Sequence, residues 1–210
     1  MFGQHGRMNP RPAPVLSAVL SPLDLPLAEL CAARLDGELY RVDECFRPVD
    51  SPSGRAERGA ALAAVAPARV IAELGSAAWV WGAVGEPPLP HRFCVDTMSR
   101  VHPGAAAGRI LREVVVDRDD VVSFGGMPVT SVLRTCADLA RFSLFTDADE
   151  RTVRTLLDLG GRNPGEVVAY LGRRRNLPHK RKAIDRLCAL ATGRPRPPGA
   201  PPAPAAVPAP

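Results

Sequence analysis

The chain has 210 residues, 46% of them hydrophobic, and a formal charge of +5, which suffices for one full domain or two small ones with their own cores. No run approaches the ~20 apolar residues of a membrane-spanning helix, and no apolar segment with a cleavage site follows Met1, so the sequence predicts a soluble, cytoplasmic protein. Five widely spaced cysteines, Cys31, Cys45, Cys94, Cys136 and Cys188, form no CxxC pair or Cys/His ligand set; this argues against structural zinc and for small core residues in a reducing compartment.

Charge is unevenly placed. Residues 151–196 hold 12 Lys/Arg against three Asp/Glu, and lysine occurs only at 180 and 182. A basic C-terminal third on a mildly acidic body fits a polyanionic partner, although arginine and alanine enrichment is also what a GC-rich genome gives.

Residues 1–13 mix glycine, proline and polar groups without period and are expected to form a loose arm. From Pro26 the pattern is helix, glycine, hairpin. Pro26 opens a short helix with Glu29 in its first turn, apolar Leu27, Leu30, Cys31 and Leu35, and Gly37 just past its end. Glu38–Val42 and Cys45–Val49 then alternate around an Asp43-Glu44 turn. This is the second half of a winged-helix module, with Arg34, Arg41 and Arg47 as candidate phosphate contacts. Asp36, Glu38, Asp43, Glu44 and Asp50 surround them and repel phosphate, so a helix-and-hairpin scaffold is the competing reading.

An alanine-rich helix follows, opened by Ser53 and ended by Pro67. Ala68–Leu74 reads as a strand, and Ser76 as the cap of a helix Ala77–Trp81 closed by Gly82. Trp79 is expected to anchor the core, with base stacking as its functional alternative. Strands are predicted at Arg92–Thr97 and Arg109–Asp117, joined through Val101–Gly108. The acids Asp96, Glu113, Asp117, Asp119 and Asp120 raise the possibility of a metal-dependent nuclease. No lysine accompanies them, and GxSxG, GxxxxGK[ST] and HExxH motifs are absent, so the sequence points to no enzyme, no catalytic residue, no cofactor and no metal.

Gly125–Phe142 organises the rest of the chain. Gly125-Gly126 supplies the two positive-φ residues of a tight hairpin turn before the strand Met127–Thr130. Thr130 or Ser131 can cap a helix whose buried face is Val132, Leu133, Cys136, Leu139 and Ala140, with Arg134 and Asp138 pairing on the other face. Asp147–Leu159 reads as a helix stopped by Gly160-Gly161. Asn163 and Pro164 open another, reaching Arg175, and His179–Ala191 forms the last. Arg173, Arg174 and Arg175 close one helix and Lys180, Arg181 and Lys182 open the next, where they oppose the helix dipole. Such an edge is a candidate phosphate-binding surface; the alternative is a solvated basic face. From Gly193 a proline-alanine tail cannot build a core and is expected to be disordered.

The segments ELCAARLDGELYRVDECFRPVD, SAAWVWG, REVVVDRDDVVSFGGMPVTSVLRTCADLAR and RRRNLPHKRKAIDRL, in that order, resemble the actinobacterial AbiEi-family antitoxin regulators of type IV toxin-antitoxin systems. The GGMPVTSVLRTCADLAR stretch fits that family's G-x-x-V-T-[ST]-x-x-R-T-x-x-D-L-A-R pattern, and the likeness covers about residues 14–190. It implies an α+β protein with an abbreviated winged-helix-like unit at 14–52 and an α/β antitoxin-type domain at 53–192 ending in basic helices. It also implies binding of double-stranded DNA at the protein's own promoter, and a nucleotidyltransferase-like toxin encoded nearby. The alternative is a non-enzymatic interaction protein whose basic helices meet an acidic protein or RNA.

Overall fold

A computed structural model describes residues 19–99, 109–142 and 144–192. The expected arm at 1–13, the 101–108 connection and the tail from 193 lie outside these residues. The described chain is mixed α+β, with seven α-helices, a two-stranded sheet and a five-stranded sheet. It forms two compact units that divide between Ser131 and Val132.

The first unit begins with the helix–glycine–hairpin pattern read from the sequence. Helix α1 spans Leu27–Leu35, and strands β1 (Leu39–Val42) and β2 (Cys45–Pro48) pair antiparallel. Pro26 stands one position before the first helical residue, as its N-cap. Gly37 has φ +79°, and Asp43 at the hairpin tip has φ +58°, a conformation that Asp tolerates better than most residues. The hairpin is covered on both sides. Leu39 and Phe46 pack with Leu30, whereas Cys45 and Val42 join the main core with Leu62, Trp79 and Phe93. A winged-helix arrangement is not established by this packing, in which the hairpin is a layer of the unit.

Helix α2 (Arg55–Val65) follows. Its first free amide is met by Glu57, whose Oε2 accepts Gly54 N–H at 2.9 Å; Ser53 is not the cap. The helix packs on the hairpin strands and also on the five-stranded sheet, and so bridges the division expected near residue 52. The strand expected over 68–74 shrinks to β3 (Ile71–Ala72), because Leu74 already starts α3 (Leu74–Trp81) with Glu73 as N-cap. Ser76 lies inside that helix, and its Oγ accepts Arg92 N–H at 2.9 Å. Gly82 ends α3 with φ +90°. The sheet is completed by β4 (His91–Asp96), β5 (Arg109–Val114), β6 (Val121–Phe124) and β7 (Met127–Thr130).

Strand order is β5-β4-β3-β7-β6. β3 runs parallel to β7 and antiparallel to β4, β4 and β5 are parallel, and β6–β7 is the antiparallel hairpin read from Gly125-Gly126. Those two glycines have φ +53° and +84°. Trp81 ties α3 to the sheet: its Nε1 donates to Thr130 O at 2.9 Å, and its ring meets Phe124 edge-on at 4.9 Å.

The second unit is four helices, α4 (Val132–Arg141), α5 (Asp147–Gly160), α6 (Pro164–Arg173) and α7 (Lys180–Thr192). Helix α4 packs against the other three. This explains a correction: Arg134 and Asp138, expected on the face opposite the buried one, are 6% and 4% exposed. They pair at 2.8 Å, and Arg141 satisfies the second carboxylate oxygen at 2.9 Å. The buried charge is tolerable because hydrogen bonds meet both carboxylate oxygens. Thr146 and Asn163 cap α5 and α6 through Asp149 N–H and Glu166 N–H, and Gly161 ends α5 with φ +60°. No described helix is long and apolar enough to cross a membrane.

Candidate nucleic-acid interface

The six cations of the two triplets surround one junction. Helix α6 ends at Arg173, Arg174 is its extended C-cap, and α7 starts at Lys180. The connection turns through Asn176 and His179, both at positive φ (+55° and +59°). Arg173, Arg175, Arg181 and Lys182 are exposed, whereas Arg174 and Lys180 are half-buried.

The half-buried pair has structural work. Lys180 Nζ donates to Arg174 O at 2.7 Å and to Gly172 O at 3.1 Å. These are carbonyls at the C-terminal end of α6, where unsatisfied acceptors and the negative end of the helix dipole favour a cation. The guanidinium of Arg174 lies 4.4 Å from the centre of the Tyr170 ring, a cation–π contact. Sequence reasoning treated all six as equivalent; the structure separates two that build the junction from four that face solvent.

The same device recurs through the unit. Arg186 Nη1 donates to Ala140 O at 2.7 Å and Phe142 O at 2.5 Å, at the end of α4, and its guanidinium sits over Phe145. Arg141 Nε donates to Pro178 O at 2.9 Å in the α6–α7 connection. These helix-end roles were missed in the sequence because they join residues dozens of positions apart. Other exposed cations are neutralised one helical turn away: Arg154 pairs with Glu150 and Arg162 with Glu166. Glu166, accepting Asn163 N–H and a bond from Arg162, is held below its ordinary carboxyl pKa. Among the described residues, the side chains of Arg173, Arg175, Arg181 and Lys182 make no ion pair or hydrogen bond. From Arg173 to Arg186 the sequence has seven Lys/Arg and one acid, Asp185.

The first-unit candidates are placed differently. Arg34 is exposed in the last turn of α1. Arg41 is exposed, and its Nε donates to Asp43 O at 2.7 Å across the hairpin turn. Arg47 is half-buried and donates through Nη1 to Ser51 O at 2.6 Å and Pro48 O at 3.2 Å, with its guanidinium over Tyr40 at 5.2 Å. Arg41 and Arg47 therefore stabilise the hairpin and its exit.

Two of the acids considered as metal ligands are used locally. Asp120 is fully buried, and its Oδ2 accepts Asp117 N–H at 3.2 Å to close a short turn. Asp96 Oδ1 accepts Met98 N–H at 3.2 Å. Among the described residues no three His, Cys, Asp or Glu side chains form a group that could hold a metal ion.

No protein-family model and no curated protein sequence match the chain. Among solved structures it is similar to the crystal structure of the RV2827C protein from Mycobacterium tuberculosis, at 16% sequence identity and a TM-score of 0.33, over 86% of this chain and 78% of that one. A likeness of that size assigns neither a family nor a function.

Proposed function

We propose that the chain is a non-enzymatic, DNA-binding regulator of the AbiEi antitoxin type, which represses its own promoter beside a nucleotidyltransferase-like toxin encoded nearby. One observation carries the DNA-binding part: Arg173, Arg175, Arg181 and Lys182 stand exposed around the α6–α7 junction without acidic partners among the described residues. Side chains in that state exchange condensed counterions for phosphates when they meet a duplex, the main source of sequence-independent affinity. The antitoxin part rests on the sequence resemblance. Three of the five free cysteines are buried and none is paired, which supports a cytoplasmic setting.

A second reading, that the same cations bind RNA or an acidic protein, draws on the engagement of Arg41 and Arg47 by their own backbone, since that leaves the hairpin fewer groups for reading base edges. Fluorescence anisotropy decides between the two, using a duplex from upstream of the chain's own gene, an unrelated duplex and a single-stranded RNA of equal length. The DNA-regulator reading requires tightest binding to the first. Preference for the RNA, or no binding to any nucleic acid, contradicts it.

A further inference from the structure

The two edges of the five-stranded sheet differ. At one, β6 has four residues and packs against α2. At the other, β5 runs for six residues, pairs with β4 on one side and, among the described residues, meets no strand on its outer side. An open edge presents a row of backbone donors and acceptors that a further strand can satisfy. β5 contains no proline or glycine, so nothing in it interrupts a second ladder.

Side chains alternate between the two faces of a strand. Arg112 reaches Glu73 on one face, so Arg109, Leu111 and Glu113 share the other, where Leu111 is 38% exposed and Glu113 is exposed. A cation stands two places before Leu111 and an anion two places after it. Two copies of this strand laid antiparallel about Leu111 set leucine against leucine, and each Arg109 against the Glu113 of the other copy. Directly opposite side chains stand ~5 Å apart at Cβ, where opposite charges attract and apolar groups pack. Moving the centre to Ile110 or Arg112 loses both charge pairs, and an in-register parallel alignment sets like charges against each other. One sign of charge along the edge would hold two copies apart; the mixed signs here favour one register.

We propose that β5 is a self-association surface, pairing antiparallel with β5 of a second copy about a twofold axis at Leu111 and joining two five-stranded sheets into one. A single strand pair is a small interface, so the association is weak and concentration-dependent. None of the cations at the α6–α7 junction takes part, and the pairing is independent of DNA binding.

Sedimentation velocity of the full chain, from low to high micromolar concentration, measures the association. The wild type is expected to show a monomer–dimer equilibrium. Arg109→Glu and Glu113→Arg each set like charges opposite one another at both pairs, and each is expected to weaken dimerisation at least tenfold. Mixed in equal amounts, the two single variants are expected to associate with each other, because one strand is then acidic at both positions and the other basic. The double variant is expected to dimerise like the wild type. A second measurement stands whether or not the charge variants fold: Leu111→Cys is introduced into a chain whose two exposed cysteines are replaced, Cys31→Ser and Cys188→Ser, and the chain is oxidised. Opposed Cα atoms at about 4.5–5.5 Å suit a disulfide, so a covalent dimer is expected. A wild type that stays monomeric throughout overturns the proposal. A dimer that the folded single variants leave unchanged, or a Leu111→Cys chain that does not cross-link, overturns it equally.

Discussion

Lys180 donates its ammonium to the backbone carbonyl of Arg174 at 2.7 Å, and this bond gives the α6–α7 junction its shape. A lysine in the first turn of α7 works against the dipole of its own helix, but here the charge reaches across the connection to the opposite dipole end of α6. Replacing Lys180 by methionine keeps the stem and removes the donors. The expected cost is about 1–2 kcal/mol, the range of a charge-assisted hydrogen bond tempered by partial exposure. Urea unfolding measures it, and the salt dependence of DNA binding is expected to stay as in the wild type.

Gly59 and Gly125 mark where α2 crosses the β6–β7 turn backbone to backbone. A Cβ at Gly59 would stand 2.1 Å from Phe124 O, and one at Gly125 would stand 2.1 Å from Ala56 O. Neither obstacle is the flexible end of a side chain, so Gly59→Ala is expected to cost about 3 kcal/mol or more, as overpacking against a fixed backbone does. Gly126 is the control. Its φ is +84°, but nothing lies within 4 Å of an added Cβ, so Gly126→Asn is expected to cost about 1 kcal/mol or less. Equal losses at 59 and 126 in chemical denaturation would refute the close crossing.

Glu73 caps α3 from a fully buried position, and Arg112 meets both of its carboxylate oxygens from β5. Arg112→Ala takes both of these hydrogen bonds from a buried carboxylate. Breaking such a pair costs about 3–5 kcal/mol when both partners are buried; because Arg112 is 34% exposed, the expectation here is about 2–3 kcal/mol. Glu73→Gln in the Arg112→Ala background removes the buried charge, and the double variant is expected to recover part of the loss in thermal unfolding.

Burial pushes the Cys136 thiol up to about 12 and, with the nearby Asp43 and Glu44 charges adding to the effect, the Cys45 thiol up to about 11. Cys94 is buried too, whereas Cys31 and Cys188 are exposed. A thiol reagent at neutral pH is therefore expected to label Cys31 and Cys188 rapidly and the other three only on unfolding, because the thiolate is the reactive form. The linkage has a definite sign. Thiols whose folded pKa is raised hold protons that the unfolded chain loses, so their contribution to stability is complete below pH 9 and declines as pH rises from 9 toward 11–12. A urea midpoint that falls over that interval, and falls less in Cys136→Ser than in the wild type, is the expected result.

Local chemistry made much of this fold legible in the sequence. Gly125-Gly126 specified a hairpin, Asn163 with Pro164 specified a helix start, and the three-and-four spacing in Val132–Arg141 specified a buried helix. The sequence was misleading where a partner distant along the chain decides a residue's role. Ser76 resembles a cap, but Arg92 N–H on the neighbouring strand takes its hydroxyl, and Glu73 occupies the cap position. Arg134 and Asp138 look like a surface pair until α5, α6 and α7 surround their helix. In the candidate site the cationic triplets were legible as composition. The division between Lys180, which holds the junction, and Lys182, which faces solvent, depends on where the end of α6 lies, and adjacent positions in a basic run carry no sign of it.

The central claim, that four exposed cations at the α6–α7 junction bind duplex DNA, is tested most directly by the salt dependence of binding. The chain and its Arg173→Ala, Arg175→Ala, Arg181→Ala, Lys182→Ala variant are titrated against the upstream duplex across a range of salt concentrations, with circular dichroism verifying the fold. Each phosphate contact contributes about 0.9 to the slope of log K against log salt, so loss of all four is expected to flatten the slope by about 3 to 4. An unchanged slope in a folded variant would contradict the claim and leave the junction a solvated basic surface.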